Sequence, residues 1–281
     1  MNSNDVYGIL IKYAEDDENI RAVLTEGSRA FGTVDKYSDY DIVYVTVSSE
    51  PYFNNAIIPF LEEKFGEIAI MQNPNDGDPR RVYTHLIQFK SGVRIDLTFN
   101  SLEFLELESV SLESATGVLL DKDGRFANLP SPSDSDFHIK KPSYERFRRD
   151  CNEFWWCCPY VTKALARGQI IYALEFLTET IRKEYMRVLS YLAGANNNWE
   201  RVNTGKHHTD IYKYLTQEQM HYYDVLINSY VQADRDKIKR ALFALMESFN
   251  ALAIEVAGMM GFEYNHLEME KCRRFIQDTY K

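Results

Sequence analysis

Two apolar, β-branched runs, Ile20 to Leu24 and Ile42 to Val47, flank a polar stretch that contains Gly27-Ser28-Arg29 and Ser38-Asp39-Tyr40-Asp41. Both runs read as strands, and a short helix is expected to begin at Gly27-Ser28 with Ser28 as its N-cap. Upstream, Val6, Ile9, Leu10 and Tyr13 recur at helical spacing, which predicts an opening helix over residues 3 to 18. Pro51 suits the first position of a further helix, with Phe53, Ile57, Phe60 and Leu61 on one face and an end near Gly66. Ile68 to Met71 then reads as a strand, and residues 73 to 79 as a loop by their Asn, Pro, Gly and Asp content. Val82 to Phe89 and Val93 to Phe99 form a predicted hairpin around Ser91-Gly92, followed by a short helix over 102 to 109 and a strand from Gly117 to Asp121. Strands alternating with helices and closing in a hairpin predict a mixed α+β domain.

The pattern changes after residues 128 to 143, where Pro, Ser and Asp predominate and periodicity is lost, as in a linker. Beyond it, Leu174, Leu177, Ile181, Tyr185, Val188 and Leu192 step by three and four, and Asp234 is placed to cap a helix ending near Gly258. We therefore expect two domains, residues 1–135 with a mixed sheet and residues 136–281 all helical. A chain of 281 residues with 45% hydrophobic content has the material for two cores.

Composition narrows the functional classes. The stretch Met1 to Asp5 lacks the features of a signal peptide and no unbroken run of about 18 apolar residues occurs, so a cytoplasmic protein without a membrane partner is expected. Cys151, Cys157, Cys158 and Cys272 have neither disulfide-framework nor zinc spacing and read as reduced core thiols. Charge is unequal: residues 1 to 142 hold 24 acids against 13 bases, a net of −11, and residues 143 to 281 hold 18 against 19, a net of +1. An acidic half disfavours nucleic acid as a partner and favours a small cationic one.

Candidate chemistry lies in the first half. Side chains two apart on a strand share a face, so Asp39 and Asp41 are expected to project together. Paired carboxylates repel unless a cation neutralises them, and hard oxygen ligands suit a divalent ion, most simply Mg²⁺. Asp96, flanked by apolar neighbours in Arg94-Ile95-Asp96-Leu97-Thr98-Phe99, is costly to bury alone. Its partner is that cation, Arg94 on the same strand face, or both.

Gly27-Ser28-Arg29, the Asp39-x-Asp41 pair and Asp96 together resemble the signature of the DNA polymerase β-like nucleotidyltransferase superfamily. Further similarity runs through Phe137 to Lys140, Cys151 to Trp156, Tyr160 to Arg167 and Gly205-Lys206, and is closest to the aminoglycoside 6-adenylyltransferases, also called streptomycin adenylyltransferases. The resemblance covers both halves. It implies a polymerase β-like catalytic domain followed by a helical one, and transfer of AMP from ATP to a hydroxyl of an aminoglycoside. Asp39, Asp41 and Asp96 would be catalytic and metal-binding. Gly27, Ser28 and Arg29, with Lys163, Arg167 and Lys206, would meet the nucleotide. Glu153, Trp155 and Tyr160 offer a carboxylate beside aromatic rings, a combination suited to a cationic acceptor through charge and cation–π contact. Two alternatives stay open: the same transfer to another hydroxylated acceptor, and a regulatory module that binds nucleotide without turnover.

Overall fold

The computed structural model describes residues 3–32, 34–74, 78, 80–107 and 112–280. Parts of the loop expected at 73–79 and of the helix expected over 102–109 therefore lie outside the described residues. The chain divides into two compact units, Met1–Asp136 and Phe137–Lys281.

The first unit is built on a six-stranded mixed sheet with the order β3-β4-β5-β2-β1-β6. Its strands are β1 (Ile20–Thr25), β2 (Tyr40–Thr46), β3 (Ile68–Gln72), β4 (Val82–Phe89), β5 (Arg94–Ser101) and β6 (Gly117–Asp121). The described pairings are antiparallel except that of β2 with β5, which run parallel in a register that sets Asp41 opposite Asp96 and Ile42 opposite Leu97. Alternation along β5 buries Ile95, Leu97 and Phe99 and leaves Arg94, Asp96 and Thr98 on the opposite face. The buried set joins Tyr40, Ile42, Tyr44, Ile87 and Phe89 in a core shared with Val6 and Leu10 of helix α1 (Ser3–Asp16) and with Leu61 and Phe65 of α3 (Ile58–Phe65). A smaller cluster of Ala22, Leu24, Val43 and Val45 fills the other face. That second face is the one that carries the acids.

Two predicted helices differ in detail. The segment begun at Pro51 is a 3₁₀ turn, Glu50–Asn55, followed by α3 as a separate element. At the Gly27-Ser28 turn the one-turn helix α2 (Ser28–Phe31) is capped by Gly27, with no side-chain hydrogen bond from the cap, so Ser28 is the first helical residue and not the N-cap. Helix α4 (Leu102–Leu107) follows β5.

The second unit holds α5 (Tyr144–Ala166), α6 (Ile170–Phe176), α7 (Arg182–Asn196), α8 (Met220–Asn228), α9 (Arg235–Met260) and α10 (His266–Thr279). Phe147, Cys151, Phe154, Cys158, Val161 and Leu165 form the buried stripe of α5, and Ile238, Leu242, Leu245, Phe249, Leu252 and Val256 that of α9. The stripes meet at Phe154 and Phe249, whose rings stack with centroids 3.6 Å apart. Ser143 and Asp234 cap α5 and α9 by accepting from the backbone N–H of Arg146 and Lys237. Buried Asp150 ties α5 to α7, accepting from Arg146 Nε at 2.9 Å and from the Tyr191 hydroxyl at 2.6 Å. Leu177–Ile181 is a π-helical turn between α6 and α7, within the stretch whose apolar residues step by three and four. Among the described residues α9 is long and apolar enough to cross a membrane by length and composition, despite the short charge-free runs in the sequence; its apolar stripe is packed into this core. The four cysteines are free thiols, and three of them are buried.

Candidate active site

Residues of the first unit converge where β1 ends and β2 and β5 lie side by side. Gly27 leaves β1 with φ 66° and ψ −151°, a conformation that favours glycine. Its missing side chain is used: a Cβ there would come within 2.9 Å of Asp41 Oδ2. The Glu26 backbone N–H donates to the Asp41 carbonyl at 2.9 Å, which fixes the turn against β2. Asp41 is thereby held between the Gly27 turn and Asp96, its register partner on β5.

Asp39 precedes β2 and is held by backbone bracing. Arg29 donates from Nε to the Asp39 carbonyl at 2.8 Å and from Nη2 to the Ser38 carbonyl at 2.7 Å, while its guanidinium lies 3.7 Å from the Tyr40 ring centroid. The planar fork of arginine suits this double contact. In the structure Arg29 thus shapes the segment that carries the acids, a role its position beside Gly27-Ser28 does not reveal. Ser28 opens α2 and accepts from the Gly32 N–H through its carbonyl at 3.0 Å.

Asp96 takes the ion pair weighed as its alternative. Arg94 donates from Nε to Asp96 Oδ1 and from Nη2 to Oδ2, both at 3.0 Å, and its Nη1 reaches Asp39 Oδ2 at 3.4 Å. Pairing with Asp96, helped by Asp39 and Asp41, raises the Arg94 pKa above its ordinary value. Among the described residues no three His, Cys, Asp or Glu side chains are gathered tightly enough to hold a metal ion. The three aspartates share one side of the sheet, yet a guanidinium contacts two of them. The donor chemistry, all carboxylate and already drawing a cation, suits the divalent ion that the resemblance implies, while in this arrangement the Arg94 guanidinium holds two of the acids and the three are not gathered around one point.

Glu26 is a fourth carboxyl that the sequence pattern passes over. Burial raises its pKa above the usual range, and the negative charges of Glu113 and Asp41 add to the effect. The available signal is position, an acid directly after an apolar strand and before Gly-Ser.

The candidates in the second unit separate into surface and core. Trp155 is 2% exposed, its indole N–H donates to the Tyr264 hydroxyl at 2.9 Å, and its ring meets Phe249 edge-on. It is a core residue on the buried side of α5, whereas its neighbour Trp156 is 61% exposed. Glu153 is exposed and accepts from the Cys157 thiol at 3.3 Å. Tyr160 stacks on Phe176 with centroids 5.0 Å apart, and Lys163 Nζ lies 4.8 Å from its ring centroid. Tyr160, Lys163, Arg167, Gln169 and Tyr172 line one cavity of about 320 Å³, so a residue assigned to the acceptor shares a pocket with two assigned to the nucleotide. Lys206 is exposed on the turn Lys206–His208, which follows Gly205 at φ 74°.

Comparison with known proteins bears on the whole chain. The family model described as streptomycin adenylyltransferase matches residues 1–279. An aminoglycoside 6-adenylyltransferase from Campylobacter jejuni is 29% identical over 294 residues, covering 100% of this chain and 99% of that protein. Another from Staphylococcus aureus is 27% identical, covering 99% and 98%, and one from Bacillus subtilis (strain 168) is 28% identical, covering 94% and 93%. A crystal structure of an aminoglycoside 6-adenyltransferase from Bacillus subtilis aligns over 100% of this chain and 99% of that chain, with 25% identity and a TM-score of 0.48.

Proposed function

Because the chain belongs to the streptomycin adenylyltransferase family and is a nucleotidyltransferase, we propose that it moves AMP from ATP to the 6-hydroxyl of streptomycin, a modification that would confer resistance. The observation that carries the site assignment is the packing of Gly27 against Asp41 with Asp96 in register across β2 and β5. A turn, two strands and their acids are held together by backbone geometry, before any ligand is considered.

Asp39, Asp41 and Asp96 would hold a divalent ion, most simply Mg²⁺; when bound it supplies charge neutralisation for the nucleotide phosphates and the departing pyrophosphate. The acceptor hydroxyl oxygen bonds to the α-phosphorus, the bond from that phosphorus to the bridging oxygen breaks, and pyrophosphate leaves. Asp96 orients the hydroxyl and takes its proton, as general-base chemistry requires. The work is mostly alignment, so the fixed placement of these carboxylates matters more than their basicity. Gly27 and Ser28 bring backbone close to the outer phosphates, with Arg29 holding the Ser38-Asp39 segment in place beside them. Lys163, Arg167 and Lys206 are assigned to the nucleotide through the resemblance, and Glu153 and Tyr160 to the cationic acceptor. Trp155 is left out of that set on account of its burial.

Pyrophosphate release from Mg-ATP, followed with and without streptomycin and checked by the mass of the product, tests the reading. Streptomycin-dependent release with one added AMP is the expected result, and Asp41→Ala should abolish it. Turnover with some other hydroxylated compound but not streptomycin would keep the chemistry and discard the substrate. ATP binding without release under any condition would point to a regulatory module.

A further inference from the structure

We propose that Arg94 is a built-in counter-ion that stands in for the divalent cation in the nucleotide-free enzyme and hands the carboxylates over when metal and nucleotide bind together. The inference rests on the reading of Asp39, Asp41 and Asp96 as the metal site.

Arg94 and Asp96 are two residues apart on β5 and so share a face. The guanidinium occupies both Asp96 oxygens through Nε and Nη2 at 3.0 Å, and turns Nη1 toward Asp39 Oδ2 at 3.4 Å. Both oxygens of one acid and one oxygen of another are thus committed to a single cation. A divalent ion seeking the same oxygens has to displace a bidentate pair, one of the stronger contacts between side chains. Metal binding in the absence of nucleotide is weakened by that competition. Arg94 is also 41% exposed along a flexible stem, so it can leave without unpacking the core. A triphosphate arriving at the same face offers it a new anionic partner, and phosphate oxygens match the guanidinium fork as carboxylates do. Nucleotide binding therefore removes the competitor, and metal and nucleotide bind with positive coupling that is reciprocal by thermodynamic necessity.

Mn²⁺ binding to the full-length chain, read by calorimetry or by the loss of the free-ion electron paramagnetic resonance signal, tests this without recourse to activity. Without nucleotide, Arg94→Gln should bind Mn²⁺ about tenfold more tightly than wild type, the effect of removing one nearby positive charge from a half-exposed site. Arg94→Lys, which keeps charge but cannot form the bidentate pair, should fall between them. A non-hydrolysable ATP analogue should tighten Mn²⁺ binding strongly in wild type and much less in Arg94→Gln. Unchanged or weaker Mn²⁺ affinity in Arg94→Gln, with Asp41→Ala still weakening it, would overturn the counter-ion role and leave the metal site standing. Mn²⁺ affinity indifferent to Asp41→Ala in both the wild-type and Arg94→Gln backgrounds would instead remove the metal site itself. Should Arg94→Gln fail to fold, as judged by circular dichroism, Arg94→Lys decides alone, since an affinity no greater than wild type would then overturn the proposal.

Discussion

Gly27 has room for a hydrogen and for little else. Its φ of 66° is costly for any residue with a Cβ, and that Cβ would press on Asp41 Oδ2 from 2.9 Å. Gly27→Ala should therefore act twice. Backbone strain should lower the stability of the first unit by about 1–2 kcal/mol, and displacement of the Asp41 carboxylate by even about 1 Å should lower turnover by about 100-fold. Urea unfolding and initial rates of pyrophosphate release measure the two effects separately; a stable variant with near wild-type rates would show that the Asp41 position does not limit the reaction. At this scale the sequence is informative about residue types and poor about directions. Gly27, Asp41 and Asp96 are conspicuous because each is expensive where it stands. Arg29 is equally visible, but whether its fork turns outward or to the Ser38 and Asp39 carbonyls depends on a loop path that spacing does not encode. Trp155 and Trp156 are adjacent and chemically identical, and only the phase of α5 decides which one is buried.

At the scale of elements, β4 carries a buried histidine whose titration is tied to the integrity of the sheet. His85 is fully buried, its Nδ1 accepts from Asn73 Nδ2 at 2.7 Å, and its ring meets Tyr83 edge-on at 4.9 Å. Burial pushes its pKa down from 6.5 to about 4. The folded-state value lies below the unfolded one, so the unfolded chain takes up the proton first. The stabilisation is complete above about pH 6.5 and is lost as pH falls from there toward 4, at about 1.4 kcal/mol per pH unit. Wild type should lose stability to urea more steeply between pH 6.5 and 4.5 than His85→Gln, which keeps an acceptor for Asn73; parallel slopes would mean that the histidine is protonated in the folded state. Because His85 pairs with Leu97 and Leu86 with Asp96, loss of β4 exposes the edge of the strand that bears Asp96. A strand such as β4 was legible because Ser91-Gly92 marks the turn of its hairpin with β5, although its buried face includes the polar His85 beside Ile87 and Phe89. The π-helical turn at Leu177–Ile181 was not, since an apolar spacing of three and four continues through it. Helix α10 escaped notice for a different reason: few of its residues are apolar, and only Met269 and Ile276 are buried.

For the whole molecule, charge is the property most readily carried from sequence to behaviour, because it needs no geometry. Residues 1 to 142 carry a net −11 and the remainder a net +1. The field of the acidic half draws cations to its surface and repels free nucleotide, whose own charge is offset when it arrives with a divalent ion. The two proposed substrates, streptomycin and Mg-ATP, should then respond to salt differently. Raising ionic strength from about 0.05 to about 0.5 M shortens the Debye length from about 14 Å to about 4 Å, which screens all but contact interactions. The KM for streptomycin should rise several-fold over that range, while kcat, set by alignment inside the site, and the KM for Mg-ATP should change far less. A streptomycin KM that is flat with salt would place recognition of the acceptor in local contacts such as those of Glu153 and Tyr160, and would deprive the acidic balance of any part in choosing the substrate. A steep rise would mean that the choice of a cationic acceptor is distributed over the first half of the chain and does not reside in Glu153 and Tyr160 alone.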